Sequence, residues 1–347
     1  MKTNYRKIPT WLSYVINTVL IAAFLGVFYY LSGKGVMSSY NNKLIMLVGI
    51  NIILAVSLNI ATGYLGQLPL GHAGFMAIGA YTSALLMKSL PWATGVSFPV
   101  ALLMAGAVSA LFGVLIGIPA LRLRGDYLAI ITLGFGEIIR VILLNIDDVL
   151  GFKLTYGAAS LKNIPKTSSV FNVFLAVVIS CCVIHMIMKS RHGRAILSIR
   201  ENEIAAESSG IHTTYYKVFG FALSAFFAGV AGGLYAGYIG ILNPATFTFM
   251  KSIEILVMVV LGGMGSMLGS VLSATVLTII PEMLRAFDAY RMVVYSLVLI
   301  VVMIFKPSGL MGTYDFSLKH LLEKLLNWKT IRADKADSKK KEGANNG

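Results

Sequence analysis

The chain has 347 residues, of which 57% are hydrophobic and 13% charged, and its formal net charge is +14. Soluble domains average about 25% charged residues, so this composition excludes an ordinary soluble protein. Several uncharged stretches of about 18 or more residues are each long enough to cross the hydrocarbon core of a bilayer as a helix. Because these apolar runs are continuous rather than alternating, they also exclude a transmembrane barrel of strands. The sequence therefore predicts an all-α polytopic membrane protein.

The excess of positive charge has two explanations. A basic balance is the usual electrostatic signature of a nucleic-acid-binding protein. Lys and Arg also accumulate in the cytoplasmic loops of membrane proteins, and we favour this explanation because the excess lies where that rule places it. The two cysteines, Cys181 and Cys182, are adjacent in an apolar run, which predicts small apolar side chains rather than a disulfide.

The first predicted element is the apolar segment 11–31, which follows a basic N-terminus as the core of a signal peptide would. It is about 21 residues long and lacks a cleavage site of small residues, so we predict a retained first span. Further apolar spans are predicted, in chain order, at 44–62, 73–87, 97–121, 127–144, 170–188, 218–241 and 291–305.

The stretch 252–284 is ambiguous, because it is too long for one crossing of about 20 residues and short for two. If the N-terminus is cytoplasmic and the spans alternate, most Lys and Arg fall on the cytoplasmic side. A single crossing at 252–284 would then place the Lys-rich tail outside, against the positive-inside rule. We therefore predict two short crossings or a re-entrant pair, about eight to ten transmembrane helices including broken or re-entrant segments, and both termini in the cytoplasm.

This arrangement divides the chain into a cytoplasmic N-terminus at 1–10, a transmembrane domain at 11–312 and a cytoplasmic tail at 313–347. The tail is predicted to begin as an amphipathic helix along the inner membrane surface and to end in a disordered segment. The largest cytoplasmic loop between spans is 189–217.

Two glycine-rich segments interrupt apolar runs in separate halves of the chain, at 61–86 and 260–274. Such breaks leave backbone groups that lipid cannot satisfy, so they persist only where protein or a water-filled cavity surrounds them. Broken helices in corresponding halves are typical of a transport pathway, and close helix packing through small residues is the alternative. Gln67 and His72 either line this route or cap the broken helices. The candidate pathway residues are Gly66, Gln67, Gly71, His72, Gly74, Gly262, Gly263 and Gly265.

Glu137 and Arg140 lie within the predicted span 127–144, three residues apart and therefore on one helix face, where they can pair. Ionised groups at membrane depth indicate a functional site by default. The alternative, which we favour, is a mutually neutralising structural ion pair.

No enzyme chemistry is indicated. The sequence contains no G-x-x-x-x-G-K-[ST] phosphate loop, so the chain cannot hydrolyse ATP by that route, and no Cys/His spacing typical of zinc. We therefore predict neither catalytic residues nor a metal site.

The loop 189–217 mixes Lys and Arg with Glu. Its stretch 197–211, "LSIRENEIAAESSGI", is predicted to form an amphipathic helix with Gly210 as the C-terminal cap. Such a helix on the inner face would suit docking into a groove of a partner protein. A solvated loop that follows the positive-inside rule is the alternative, although it explains the Glu residues less well.

The sequence resembles the membrane permeases of bacterial branched-chain amino acid ABC importers, specifically the second and longer of the two permeases, over about residues 44–312. The resemblance rests, in chain order, on "GYLGQLPLGHAGFMAIGAYTSALL", "LRLRGDYLAIITLGFGEIIR", "GRAILSIRENEIAAESSGI", "FALSAFFAGVAGGLYA", "VMVVLGGMGSMLGSVL" and "FKPSGLMG".

The resemblance implies that residues 193–211 form the coupling helix, which fits into a cleft of the ATPase. Loops of this kind carry the pattern E-A-A-x-x-x-G. Here Ile204 occupies the Glu position and Glu203 lies one place early, so the residue that makes the polar contact stays open. The implied ATPase-coupling residues are Gly193, Arg194, Arg200, Glu201, Glu203, Ala205, Ala206 and Gly210.

The resemblance also implies a multi-pass protein of the bacterial inner membrane that forms a heterodimer with a second permease subunit. Two ATPase subunits that use ATP and Mg²⁺, and an extracytoplasmic binding protein, would complete the importer, with no cofactor on this chain. The implied substrate is a branched-chain or similar hydrophobic amino acid, while related permeases carry urea or short amides. Two alternatives come from other classes: an ion-coupled secondary transporter with Glu137 as its proton or sodium site, and a non-transporting membrane protein.

Overall fold

The computed structural model describes residues 38–89, 94–123, 125–151 and 153–284, together with Gly26 and isolated positions between 290 and 312. Apart from Gly26, these residues belong to one unit, Tyr29–Tyr314. The predicted N-terminus, first span and tail, and most of the predicted span 291–305, lie outside the described residues.

The apolar runs fold into helices because a helix satisfies its backbone amides and carbonyls within its own segment, as lipid requires. In the described part of the chain, β structure is limited to an isolated antiparallel bridge between Leu161 and Leu242. The all-α fold class is confirmed, and each predicted span from 44–62 to 218–241 is helical, although the helix at 73–87 is not among those long and apolar enough to cross a membrane. The helices are α1 Ser39–Asn59, α2 His72–Ser89, α3 Thr94–Ala120, α4 Asp126–Leu150, α5 Val170–Lys189, α6 Arg191–Glu201, α7 Glu203–Ser208, α8 Thr213–Ile239, α9 Phe249–Gly262 and α10 Met267–Met283.

Among the described residues, 6 helical segments are long and apolar enough to cross a membrane. They differ in the share of their apolar stretch that the rest of the chain buries, from 78% for the segment containing α1 to 17% for α4. The segments are Ser39–Tyr64, Val96–Ala120, Asp126–Val149, Val170–Lys189, Thr213–Ile239 and Pro244–Gly262.

Helix α1 lies at the centre of the bundle. Its residues from Val48 to Asn59 are buried without interruption, and it packs against α5, α8, α9 and α10. A helix that is apolar on every side is buried on every side, and the sequence of α1 has this character.

Helix α8 packs against both α2 and α3, and small residues allow their backbones to approach closely. A Cβ atom on Gly79 would overlap the backbone of Gly229, and one on Gly232 would overlap the carbonyl of Met76. Without these glycines the helices could not pack at this distance, which is the usual role of small residues between membrane helices.

The ambiguous stretch 252–284 forms a helical hairpin, α9 followed by α10, which confirms that it is a pair rather than one crossing. Helix α9 has 14 residues and is therefore about 21 Å long, shorter than the roughly 30 Å hydrocarbon core. Gly263 and Gly265 adopt positive φ values of 106° and 90° in the turn, and the Ser266 hydroxyl accepts a hydrogen bond from Gly269 N (3.1 Å) to cap α10.

The loop between α5 and α8 contains two helices rather than one. The prediction of one continuous helix is wrong at Asn202, which is extended (φ −158°, ψ 109°) and ends α6. The Asn202 side chain accepts a hydrogen bond from Ala205 N (3.1 Å), so it starts α7 as an N-cap instead of continuing α6.

Candidate functional site

The C-terminal end of α1 continues as a π-helical turn, Ile60–Tyr64. Leu65 N donates to Ile60 O at 3.0 Å across five residues, and Gly66 then reverses the chain with a φ of 75°. Such turns are frequent at functional sites, and this one begins the first glycine-rich break.

The π-helical turn is in direct contact with the second glycine-rich break. Asn59, which is fully buried, accepts a hydrogen bond from Gly265 N (2.8 Å) through Oδ1 and donates to Ser266 O (3.1 Å) through Nδ2. A Cβ atom on Gly63 would overlap both Asn59 Oδ1 and Gly265 N. Two breaks about 200 residues apart in sequence therefore meet at one point of the structure.

Arg200, on α6, contacts both breaks. Its Nη1 donates a hydrogen bond to Gly63 O at 2.6 Å, and a Cβ atom on Gly265 would lie 3.1 Å from the same nitrogen. A Cβ atom on Gly66 would lie 3.0 Å from Arg200 Cγ. A hydrogen bond from a guanidinium is stronger than one between neutral groups, so Arg200 ties the loop between α5 and α8 to both breaks.

Helix α6 is held tightly against the end of α5. Gly193 leaves room for Met188 O, which a Cβ atom there would overlap, and Arg194 Nη1 donates to Lys189 O at 3.2 Å. Ile196 and Ile199 are buried beneath the helix, while Arg194 and Arg200 are exposed. The predicted amphipathic character of this segment is confirmed.

Helix α7 presents an outward face. Ala206 is buried, whereas Ile204 is 70% exposed, and the neighbouring Glu201, Ala205 and Gly210 are exposed. Gly210 has a φ of 80°, which confirms the predicted C-terminal cap. An exposed isoleucine with small and acidic neighbours suits contact with a partner.

The carboxylate of Glu203, also on α7, forms an ion pair within the chain. Its Oε1 pairs with Lys217 Nζ of α8 at 2.6 Å, and the Lys217 side chain is only 8% exposed. The sequence analysis did not select Lys217. A lysine near the start of a long apolar helix does indicate, however, that an acidic partner is needed if the lysine is buried.

A further contact closes the α9–α10 turn. Leu310 N donates to Leu261 O (2.8 Å) and Met311 N donates to Gly262 O (3.2 Å). A Cβ atom on Gly309 would lie 2.5 Å from Gly263 Cα. The segment "FKPSGLMG" thus satisfies carbonyls that the end of α9 leaves without intrahelical partners, a role that its sequence alone did not indicate.

The other candidate residues of the first break face neighbouring helices. His72 Nε2 lies 2.9 Å from Ser57 Oγ, and Gly71 would overlap Thr132 O if it carried a Cβ atom. Gln67 Oε1 is buried without a hydrogen-bond partner among the residues that the structure describes. Gly74 lies against Gly136 of α4, and Gly262 packs against Gly269.

Glu137 lies about half-way along α4, at the edge of a small recess. Its Oε2 accepts from Arg140 Nε at 2.6 Å, which shows the predicted ion pair, and its Oε1 accepts from Phe249 N at 3.0 Å. The second bond caps α9, whose first amides have no intrahelical acceptor. The recess is lined by Leu70, Ala73, Gly74, Leu133, Gly136, Glu137, Phe247, Thr248, Phe249 and Ser252.

Residues 41–303 match the family described as the branched-chain amino acid transport system permease component. The chain is 40% identical over 296 residues to the high-affinity branched-chain amino acid transport system permease protein LivM of Salmonella typhimurium, which covers 76% of this chain and 68% of that protein.

More distant similarity extends to two other permeases. The chain is 33% identical over 125 residues to LivH of Escherichia coli, a permease protein of the same named transport system, covering 35% of this chain and 40% of LivH. It is 27% identical over 189 residues to the nucleoside ABC transporter permease protein NupC of Lactococcus lactis, covering 49% and 59%. No solved structure matches the chain significantly.

Proposed function

Because the chain belongs to the family of branched-chain amino acid transport permeases, we propose a mechanism by which partner ATPases drive substrate through it. It is a permease subunit of a branched-chain amino acid ABC importer and a multi-pass protein of the inner membrane. This membership favours the importer over the ion-coupled carrier and the non-transporting protein.

The hydrogen bond from Arg200 to Gly63 O carries the proposal. It connects α6, in the loop expected to meet the ATPase, to the point where both glycine-rich breaks touch. A rigid displacement of α6 would pull on a carbonyl of the π-helical turn and, through Gly265, on the α9–α10 hairpin. The site residues on α6 and α7 would then transmit ATPase closure to the route through the membrane.

The docking surface for the ATPase is the outward face of α6 and α7, in particular Ile204, Ala205 and Gly210. Glu203 contributes indirectly, because its pairing with Lys217 holds α7 against α8. The polar contact expected of the E-A-A pattern would therefore come from a neighbouring exposed residue such as Glu207.

The remaining subunits follow from this mechanism. A second permease accords with the similarity to both LivM and LivH. Two ATPase subunits would bind ATP and Mg²⁺, because this chain has no phosphate loop with which to bind ATP itself. An extracytoplasmic binding protein would deliver the amino acid. Both termini and the loop 189–217 would then lie in the cytoplasm.

The substrate class follows the stronger similarity. LivM is 40% identical to this chain, against 27% for the nucleoside permease NupC, so a branched-chain amino acid is favoured over a nucleoside, urea or a short amide. Translocation of a zwitterion needs no net charge along the route, in keeping with the pairing of Glu137 with Arg140 within the span formed by α4.

The test is replacement of Arg200 in the complete transporter reconstituted in liposomes. Arg200→Gln should reduce ATP-driven leucine uptake about ten- to one-hundred-fold. This is the change in rate expected when a hydrogen bond to a charged group, which contributes about 1.5–3 kcal/mol, is lost. ATP hydrolysis by the same complexes should persist, so the ratio of leucine transported to ATP hydrolysed falls. Excess guanosine or urea should leave leucine uptake by the unchanged transporter unaffected.

Arg191→Gln is the matched control, because Arg191 is an exposed arginine at the start of the same helix. It should retain both activities. Normal coupling in Arg200→Gln would contradict the mechanism, and so would an equal loss of uptake in both variants.

A further inference from the structure

The Glu137–Arg140 pair is incompletely shielded by the rest of the chain. The side chains are 32% and 26% exposed, respectively, and they lie about half-way along a helix that is apolar enough to span the membrane. A charged group at the centre of a bilayer costs roughly 2.5–3.5 kcal/mol on insertion scales, and such groups almost always face protein or a water-filled cavity. The exposed part of this pair is therefore unsuited to contact with lipid tails.

The neighbouring surface of α4 has the composition of a helix contact. Gly134, Ile138, Val141 and Asn145 follow one another at intervals of four, three and four residues, which places them on one face. A Cβ atom on Gly134 would meet nothing within 4 Å in the described part of the chain, and Ile138, Val141 and Asn145 are exposed. We call these four residues the α4 stripe. Of the four, Gly134 is small and Asn145 is polar, and residues of both kinds are typical of the contact between two membrane helices.

Helix α4 is also the least buried of the candidate spans in the described part of the chain, with 17% of its apolar stretch buried against 33% for α5. Its inner face contacts α2, where Gly71 and Gly74 pack closely on it. The α4 stripe is thus an accessible surface on a helix that the rest of the chain holds firmly.

We propose that the α4 stripe is the contact surface for the second permease subunit, with the Glu137–Arg140 pair at the edge of the contact. The proposal rests on the proposed function, which supplies the partner. The pair and the adjoining recess would then face the boundary between the two permeases, and Glu137 would join α4, the α9 N-terminus and the route between the subunits.

Other occupants fit less well. Lipid would leave ionised groups against hydrocarbon, and the ATPase is expected on the cytoplasmic face of α6 and α7 rather than at the middle of a span. A second permease can bring polar groups to the same depth in the membrane, and it can pack against Gly134.

Photo-crosslinking in the complete transporter tests this directly. A benzophenone amino acid at Ile138, which is 52% exposed, should form an adduct in native membranes that mass spectrometry identifies as this chain joined to a second permease of the family. The matched control is the same amino acid at Leu115 of α3, which is 57% exposed and should give less than about a tenth of that adduct.

Gly134→Leu provides an independent measurement. Nothing in the described chain lies within 4 Å of its Cβ position, so the larger side chain should leave the chain inserted and its thermal unfolding unchanged. Recovery of the second permease with this chain should nevertheless fall at least about tenfold, whereas Gly134→Ala should retain it.

The outcomes separate the two proposals. Recovery of a second permease with the unchanged chain, together with Ile138 adducts only to lipid or to another copy of this chain, would overturn the assignment of α4 and leave the proposed function standing. Equal adducts at Ile138 and Leu115 would do the same. Failure of the unchanged chain to recover any second permease would overturn both.

Discussion

At the scale of single residues, the sequence indicated that the glycine-rich breaks matter but not what each glycine does. Gly63 and Gly265 lie about 200 residues apart, and no local pattern reports that they touch. Arg200 was a candidate through family resemblance, yet its contact with Gly63 O spans 137 residues and depends on how α6 packs. Lys217 was missed because a lysine near the end of a span is usually read as a cytoplasmic flank.

Gly63→Ala should disrupt the contact between the two breaks. Its Cβ atom would overlap Asn59 Oδ1 and lie 2.7 Å from Gly265 Cα, and overpacking of this kind typically costs about 1–3 kcal/mol. We expect a lower temperature of thermal unfolding in detergent and a loss of leucine uptake.

Gly220→Ala is the control for that substitution. Its Cβ atom would lie 3.6 Å from Ile196 Cδ1 and 3.7 Å from Leu65 Cδ2, ordinary contact distances. Unfolding temperature and uptake should both be retained, and an equal loss in the two variants would show that the overlap at Gly63 is not the cause.

At the scale of elements, apolar run length predicted the helices well, because lipid leaves few alternatives to helix. Boundaries failed where a polar side chain intervened. Asn202 divides the helix predicted at 197–211 by capping α7, and α9 starts where Glu137 of a distant helix accepts its first amide hydrogen bond. Neither hydrogen bond can be predicted from hydropathy, because a hydropathy average does not resolve the single residues that set helix boundaries.

The Glu203–Lys217 pair should hold α7 in place, so charge reversal at either residue should impair uptake. Breaking a buried pair costs up to about 3–5 kcal/mol, and less is expected here because the Glu203 side chain is 27% exposed. Glu203→Lys and Lys217→Glu should each lower leucine uptake, and the double variant should recover part of it.

The Lys251–Glu254 pair serves as the comparison, since the Glu254 side chain is 43% exposed. Reversal of either charge there should change stability by less than about 1 kcal/mol. Failure of the Glu203/Lys217 double variant to exceed both single variants would argue against a direct role for that pair.

At the scale of the whole molecule, the order of the described spans and the family could be predicted, because both depend on long stretches of sequence. The positions of helices relative to one another could not, because they are set by contacts such as Gly79 on Gly229 that hydropathy does not encode. The predicted pathway residues illustrate this: Gly71 and Gly74 lie against α4, while Gly265 lies against Gly63. The orientation in the membrane remains a prediction from charge.

That orientation can be measured with single cysteines in a chain whose Cys181 and Cys182 are replaced by Ser. His212→Cys, in the loop between α7 and α8, should react with a membrane-impermeant maleimide only in inverted vesicles, because we expect this loop in the cytoplasm. Tyr156→Cys, between α4 and α5, should react from outside in intact spheroplasts. Both positions are exposed, so the reverse pattern would invert the proposed topology.

The cap that Glu137 provides for Phe249 has a consequence for biosynthesis. The carboxylate leaves the ribosome 112 residues before the amide it serves, so α4 can already be in the bilayer when α9 arrives. Chains emerge from the N-terminus onward, and in the opposite order an uncapped helix end would enter hydrocarbon, where each unsatisfied backbone group costs several kcal/mol. The direction of translation thus places the carboxylate in the membrane before the helix end that it caps.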